Sequence, residues 1–151
     1  MSLSQIMSKK LITLDIDDDL HKAKVLFEKN NIHHILVLNN KELAGVLTDR
    51  ELYKHLSPYI GTSKEIPRDS MLLHKKVHLI MSRDLITTNE SSSLNEAVML
   101  FHQHHISCLP IINDNYQPVG IISWRDIIKV AALQYMKKMA LKEKSKSSPT
   151  E

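Results

Sequence analysis

A chain of 151 residues with 42% hydrophobic and 25% charged side chains has the balance of a globular protein, long enough for one ordinary domain or two very small ones. No apolar run approaches the roughly eighteen residues that cross a bilayer, and Met1-Ser2-Leu3-Ser4-Gln5 lacks the basic-then-apolar pattern of a secretory signal, so no membrane partner is expected. The net charge of +3 sits largely in five lysines between Lys137 and Lys146, which gives no case for nucleic acid, and the single cysteine, Cys108, excludes an internal disulfide and suits a reducing, cytoplasmic setting.

The first predicted element is a short extended piece, Leu11-Ile12-Thr13, followed by acids at Asp17 to Asp19 suited to cap a helix. Leu20, Ala23, Leu26 and Phe27 then recur at helical spacing and make one apolar stripe. Ile35-Leu36-Val37-Leu38 reads as a strand covered on both faces, turned by Asn39-Asn40-Lys41 into a second strand, Leu43 to Leu47. A closing helix is expected from Asp49 to about Leu56. The stretch from Ser57 to Leu79 reads as a linker, stopped at first by Ser57-Pro58-Tyr59-Ile60-Gly61 and then helical from Asp69 to Leu79.

The chain then repeats itself. Ile6-Met7-Ser8-Lys9-Lys10-Leu11-Ile12-Thr13 matches Ile80-Met81-Ser82-Arg83-Asp84-Leu85-Ile86-Thr87 at six of eight positions, an offset of 74. The same offset pairs the helical stripe with Leu94, Ala97, Leu100 and Phe101, capped by Ser91 to Ser93, and Ile32 with Ile106. One inserted residue near Tyr116, after the turn Asn113-Asp114-Asn115, shifts the offset to 75 and aligns Gly45 to Leu52 with Gly120 to Ile127. One structural unit is therefore present twice, in the order strand, helix, strand, strand, helix. So small a unit exposes too much of its sheet to stand alone, and two copies related by a pseudo-twofold would cover each other. The second closing helix is expected from Trp124 to about Lys142, with a disordered tail beyond Leu141.

Taken together, the doubled Ile-Met-Ser with Leu-Ile-Thr, the helix, the apolar strand (Leu109-Pro110-Ile111-Ile112 in the second copy) and the Gly-x-x-Thr/Ser-x-x-acid stretch resemble the CBS domain over about residues 6–135. The length and the Leu56-Ser57-Pro58-Tyr59 linker are most similar to stand-alone bacterial CBS-pair proteins of the acetoin-utilisation type. The resemblance implies an α/β (α+β) fold of two tandem β-α-β-β-α units packed with pseudo-twofold symmetry. It divides the chain into a leader at 1–5, a first unit at 6–56, a linker at 57–79, a second unit at 80–135 and a basic helix end and tail at 136–151.

The resemblance also implies a ligand pocket shared between units, and the residue types give it a chemistry. Ser123, at the N-cap of the last helix, sits where free N–H groups and the helix dipole favour phosphate. Asp126, on the first turn, can accept from the two hydroxyls of a ribose, and Arg125 can pair with a second phosphate. Ile12, Thr13, Ile32 and His33 would line this pocket from the other unit, with Ile121 beside Ser123, and Trp124 would either stack on a base or pack against the linker. A second, weaker pocket would join Thr48, Arg50 and Glu51 to Ile86, Thr87, Ile106 and Ser107. Glu51 stands where the family has aspartate, which moves its carboxylate by about an ångström or more.

Plainer readings stand beside these. Thr48-x-x-Glu51 is also a capping box. His33-His34 and His102, His104 and His105 lack an accompanying Cys or carboxylate at ligand spacing, so no metal is expected. Cys108 reads as a small apolar filler, and no catalytic constellation is visible. The expectation is a regulatory, non-enzymatic module that requires no cofactor. It would bind AMP, ADP, ATP or S-adenosylmethionine and signal to an unidentified regulated protein. A structural dimerisation unit without nucleotide is the alternative, and a homodimer is expected in either case. The apolar residues of the last helix, among them Ile127, Ile128, Leu133, Tyr135, Met136 and Met139, surround much of its circumference.

Overall fold

The computed structural model describes residues 1–147. In the first unit the elements are Thr13–Asp15 (β1), Leu20–Asn30 (α1), His34–Asn39 (β2), Glu42–Thr48 (β3) and Asp49–His55 (α2). A short helix, Pro67–Met71 (α3), lies in the connection, and the second unit has Leu94–His104 (α4), Cys108–Ile112 (β4), Pro118–Ser123 (β5) and Trp124–Lys146 (α5). β2 is central in its sheet, parallel to β1 and antiparallel to β3, while β4 and β5 form an antiparallel pair.

The repeat extends to backbone conformations. Asp19 and Ser93 cap α1 and α4 through side-chain oxygens, and both helices end on a left-handed residue, Asn31 and His105. Asn40 and Lys41, both at positive φ, make the two-residue turn between β2 and β3. Tyr116, which follows the inserted residue, repeats the positive φ of Lys41.

Hydrophobic burial builds three clusters. One, with Leu14, Leu20, Phe27, Ile35 and Leu47, lies under α1 and α2; its counterpart under α4 holds Ala97, Leu109, Ile111 and Ile122. The third joins Leu36, Leu43 and Val46 to Cys108 and so seals the sheets of the two units to each other.

The leader and the linker are built into these cores rather than lying outside them. Leu3 is fully buried in the second unit's core, and Val77 in the first unit's. Ser8 exchanges two 3.0 Å backbone hydrogen bonds with Ile121, and Ser82 makes the equivalent pair with Val46 at 2.9 and 3.1 Å. Each unit's Ile-Met-Ser segment thus hands its partner a strand edge, a large apolar side chain and a methionine. Glycine is required where those methionines cross: a Cβ on Gly120 would overlap Met7 Sδ, and one on Gly45 would lie 2.5 Å from Met81 Sδ.

Four expectations are corrected. β1 begins at Thr13 instead of Leu11, because Leu11 packs against the inter-unit cluster. The equivalent strand of the second unit shrinks to a single bridge between Thr88 and Ile111. Pro110 explains this: its carbonyl accepts from Thr88 N, so its missing N–H faces the same neighbour and the ladder cannot continue toward Ile86. The expected helix at Asp69–Leu79 is broken into α3 and two 3-10 turns, Leu72–His74 and Val77–Leu79. Lys75 and Lys76 are extended because the Lys75 carbonyl accepts from Leu20 N, and Lys76 Nζ donates to the Asp17 carbonyl. Finally, α5 runs through Lys146, where disorder was expected from Lys142. Lys142, Glu143 and Lys144 are good helix formers, and lysines suit a helix C-terminus. The rest of the expected tail, 148–151, lies outside the described residues.

Candidate functional site

β3 and β5 each end on a hydroxyl residue that caps the following helix. Thr48 Oγ1 accepts from Glu51 N at 3.1 Å, and Glu51 Oε2 accepts in return from Thr48 N at 3.1 Å. Ser123 repeats the box with a looser forward bond, Asp126 N donating to Ser123 Oγ at 3.4 Å, and a tighter return. Asp126 Oδ2 accepts from Ser123 N at 2.7 Å and from Ser123 Oγ at 3.0 Å. Both bonds fall on Oδ2, so Oδ1 carries none of Asp126's bonds among the described residues.

The two helix starts face one open cavity of about 690 Å³ between the units. Of the residues expected in the first pocket, Ser123, Trp124, Arg125, Asp126 and Ile121 line it from the second unit, and Ile12, Ile32 and His33 from the first. Thr13 does not, since it opens β1 and pairs with Leu36. From the set expected in a second pocket, Thr48, Arg50 and Ser107 line this same cavity. Glu51, Ile86, Thr87 and Ile106 lie off it, the two isoleucines packing against the second unit's core.

Several lining residues were not singled out from sequence: Ser8, Lys10, Leu11, Leu36, Asp49 and Tyr53. For three of them the signal was asymmetry between the copies. Lys10, Asp49 and Tyr53 stand opposite Asp84, Trp124 and Ile128, so each breaks the repeat beside a conserved-geometry element. Ser8 lay in the repeated segment itself, and only its pairing with Ile121 across the units brings it to the cavity.

The electrostatics of the wall are mixed. His33 Nδ1 lies 2.8 Å from Asp49 Oδ2, and His34 Nε2 lies 2.8 Å from Ser107 Oγ, a bond that ties one unit to the other. Burial holds the His34 pKa below its usual value, with the neighbouring His33 and then Arg125 acting the same way and Asp49 opposing them. The shift favours the neutral imidazole of His34. The Arg125 guanidinium stands 5.7 Å from the Trp124 ring centroid. Beneath the wall, burial and then Glu51 push the Cys108 thiol up to about 12, which makes it inert. Among the described residues, no three His, Cys, Asp or Glu side chains are grouped to hold a metal ion.

The CBS domain family model matches residues 3–58 and 76–133. A CBS domain-containing protein of Dictyostelium discoideum is 30% identical over 128 residues, covering 83% of this chain and 88% of that protein. The gamma-3 subunit of the 5′-AMP-activated protein kinase of Sus scrofa is 32% identical over 130 residues, but the chain spans only 25% of that subunit. In structure the chain is similar to a Vibrio cholerae protein named for acetoin utilization, with a TM-score of 0.71 and 23% identity over 99% of this chain and 98% of that one. It is also similar to a CBS domain pair solved in complex with 5′-methylthioadenosine and S-adenosyl-L-methionine, with a TM-score of 0.72 and 22% identity over 89% of this chain and 98% of the other. With the doubled sequence, the doubled fold and the doubled family match in agreement, the chain belongs to the CBS domain family and carries the domain as a tandem pair.

Proposed function

We propose that this CBS pair is a regulatory module that binds an adenosine-containing ligand in the cavity between its units and passes its bound state to a partner protein. One observation carries the reading. The cavity joins the capped start of α5, with Ser123, Arg125 and Asp126, to the apolar wall of Ile12 and Ile32 from the other unit. In this reading Asp126 takes the ribose diol through Oδ1, Arg125 and the α5 N-terminus take phosphate, and the isoleucines and Trp124 hold the base. The related pair bound to two adenosine compounds and the kinase-subunit relative support the ligand class. The chain acts by binding rather than catalysis and works in the cytoplasm. No helix among the described residues is long and apolar enough to cross a membrane.

The capping boxes favour a second reading, a dimerisation unit whose carboxylates only hold helix starts. A thermal-shift screen against AMP, ADP, ATP and S-adenosylmethionine separates the two. A ligand at about 100 times its Kd should stabilise by roughly 2.7 kcal/mol, a rise of about 5–10 °C for a chain of this size. No shift with any of them supports the second reading. Both readings include a homodimer through α5, on which Ile128, Leu133, Tyr135 and Met136 are all about half or more exposed and no residue is buried. Light scattering at micromolar concentration should give twice the 17.3 kDa chain mass, and a monomer mass would reject the dimer.

A further inference from the structure

Three cations of the cavity wall, Lys10, Arg50 and Arg125, stand without a carboxylate partner at ion-pair distance. Among the described residues the lysine–carboxylate ion pairs are Lys22–Asp18 and Lys24–Glu28, and Asp49 is bonded to His33, so none of the three has a carboxylate at ion-pair distance. All three line the one cavity. Its two acids bond elsewhere, Asp49 to His33 and Asp126 through Oδ2 to Ser123, so the wall sets three cations against two carboxylates. The three cations also come from three separate places: the segment before β1, the first turn of α2 and the first turn of α5. Ser8 is pinned to Ile121 by two backbone hydrogen bonds, which holds the Lys10 segment against the other unit. Lys10 has no pseudo-symmetric counterpart, because the repeat places Asp84 there, so the charge belongs to this cavity and not to the fold in general.

Cations gathered this way repel one another, and each gains when an anion bridges them. In the nucleotide reading above, one phosphate would meet the α5 N-terminus and Arg125. Lys10 and Arg50 remain, and they call for further negative charge on the same ligand. We propose that Lys10, Arg50 and Arg125 form a polyphosphate subsite, so that the cavity selects nucleoside di- and triphosphates over adenosine itself and over sulfonium compounds such as S-adenosylmethionine. The assignment rests on the nucleotide reading above and adds to it the number of charges the site reads.

Calorimetry on the full chain at fixed ionic strength, with adenosine, AMP, ADP, ATP, S-adenosylmethionine and inorganic tripolyphosphate, tests the subsite. Affinity should climb from adenosine through AMP to ADP, with ADP at least about tenfold above adenosine and S-adenosylmethionine, the factor a single charge-assisted hydrogen bond gives. Lys10→Gln should remove about tenfold from ADP and ATP and leave adenosine unchanged, whereas Lys29→Gln, away from the cavity, should change nothing. Equal affinities for adenosine and ADP, or equal losses in the two lysine variants, would overturn the subsite while leaving an adenosine site in place. Tripolyphosphate binding that Lys10→Gln weakens, with no nucleoside bound, would keep the subsite and reject the adenosine reading. If none of the six ligands binds, both fall.

Discussion

Asp126 is asked to do two things, and its geometry allows them to be separated. Oδ2 accepts from Ser123 N and Ser123 Oγ, so Asp126→Ala strips the returning half of the capping box while Ser123 Oγ still accepts from the residue 126 amide. The loss should be about 1–2 kcal/mol of stability, or about 2–8 °C in Tm for a chain of this length. Asp126→Asn keeps a carbonyl oxygen for Ser123 N and should cost only a few tenths of a kcal/mol, roughly the low end for a retained cap. Ribose binding needs the charged acceptor, so both variants should lose about 1.5–3 kcal/mol of nucleotide affinity, tenfold to over a hundredfold. Calorimetry with ADP and 2′-deoxy-ADP supplies the check. The deoxy ligand should bind the wild type more weakly yet lose much less further affinity in Asp126→Ala, since both changes remove one contact. If Asp126→Asn binds as the wild type does, or if the deoxy and Ala losses simply add, Asp126 is a helix cap and nothing more.

The packing and the buried groups set three further outcomes. Gly120→Ala forces Met7 to move and should cost about 1–3 kcal/mol in urea unfolding, with a loss that falls short of adding to that of Met7→Ala; full additivity would show that the two do not meet. His34 is held below its ordinary 6.5 mainly by burial, so the unfolded chain takes up the proton first. Its contribution to stability is complete above pH 6.5, shrinks as pH falls through 6.5, and levels off below the folded pKa. Denaturation from about pH 8 to about pH 5 should therefore show a shallower decline for His34→Gln than for the wild type, and identical slopes would refute this. Cys108, with its thiol pushed up to about 12, should react with iodoacetamide at about pH 8 a thousandfold or more slowly in the folded chain than after unfolding. Comparable labelling in both states would contradict its burial.

Much of the fold was legible because the repeat doubled every weak local signal. Asp19 and Ser93 announced their helices, and the apolar runs at β2 and β4 announced strands covered on both faces. Pairing and breakage were harder to read. Pro110 lay in plain sight as part of an apolar strand. That its missing N–H faces the Ile86 side emerges only once the strand's hydrogen-bonding direction is known. Lys75 and Lys76 looked helical by composition, and the tertiary bonds to Leu20 and Asp17 override that propensity. The exchange of Leu3 and Val77 between cores could not be seen, because sequence spacing does not say which copy a segment joins.

The site divides in the same way. Ser123, Arg125 and Asp126 were visible because N-cap chemistry is local and fixes the first turn. Lys10, Asp49 and Tyr53 are brought to the cavity by tertiary packing, so only their mismatch with the other copy marked them. The merging of Thr48, Arg50 and Ser107 into the same wall depends on how the pseudo-twofold brings the helix starts together, which no local pattern encodes.

Trp124 is the chain's single tryptophan, and it stands in the cavity wall at 46% exposure. Its emission, excited at about 295 nm and corrected for ligand absorbance, thus reports on that cavity and little else. On titration with ADP the emission should change saturably, at a midpoint equal to the calorimetric Kd and weakened together with it in Asp126→Asn. Calorimetric binding that leaves Trp124 emission unchanged would place the ligand elsewhere and contradict the account.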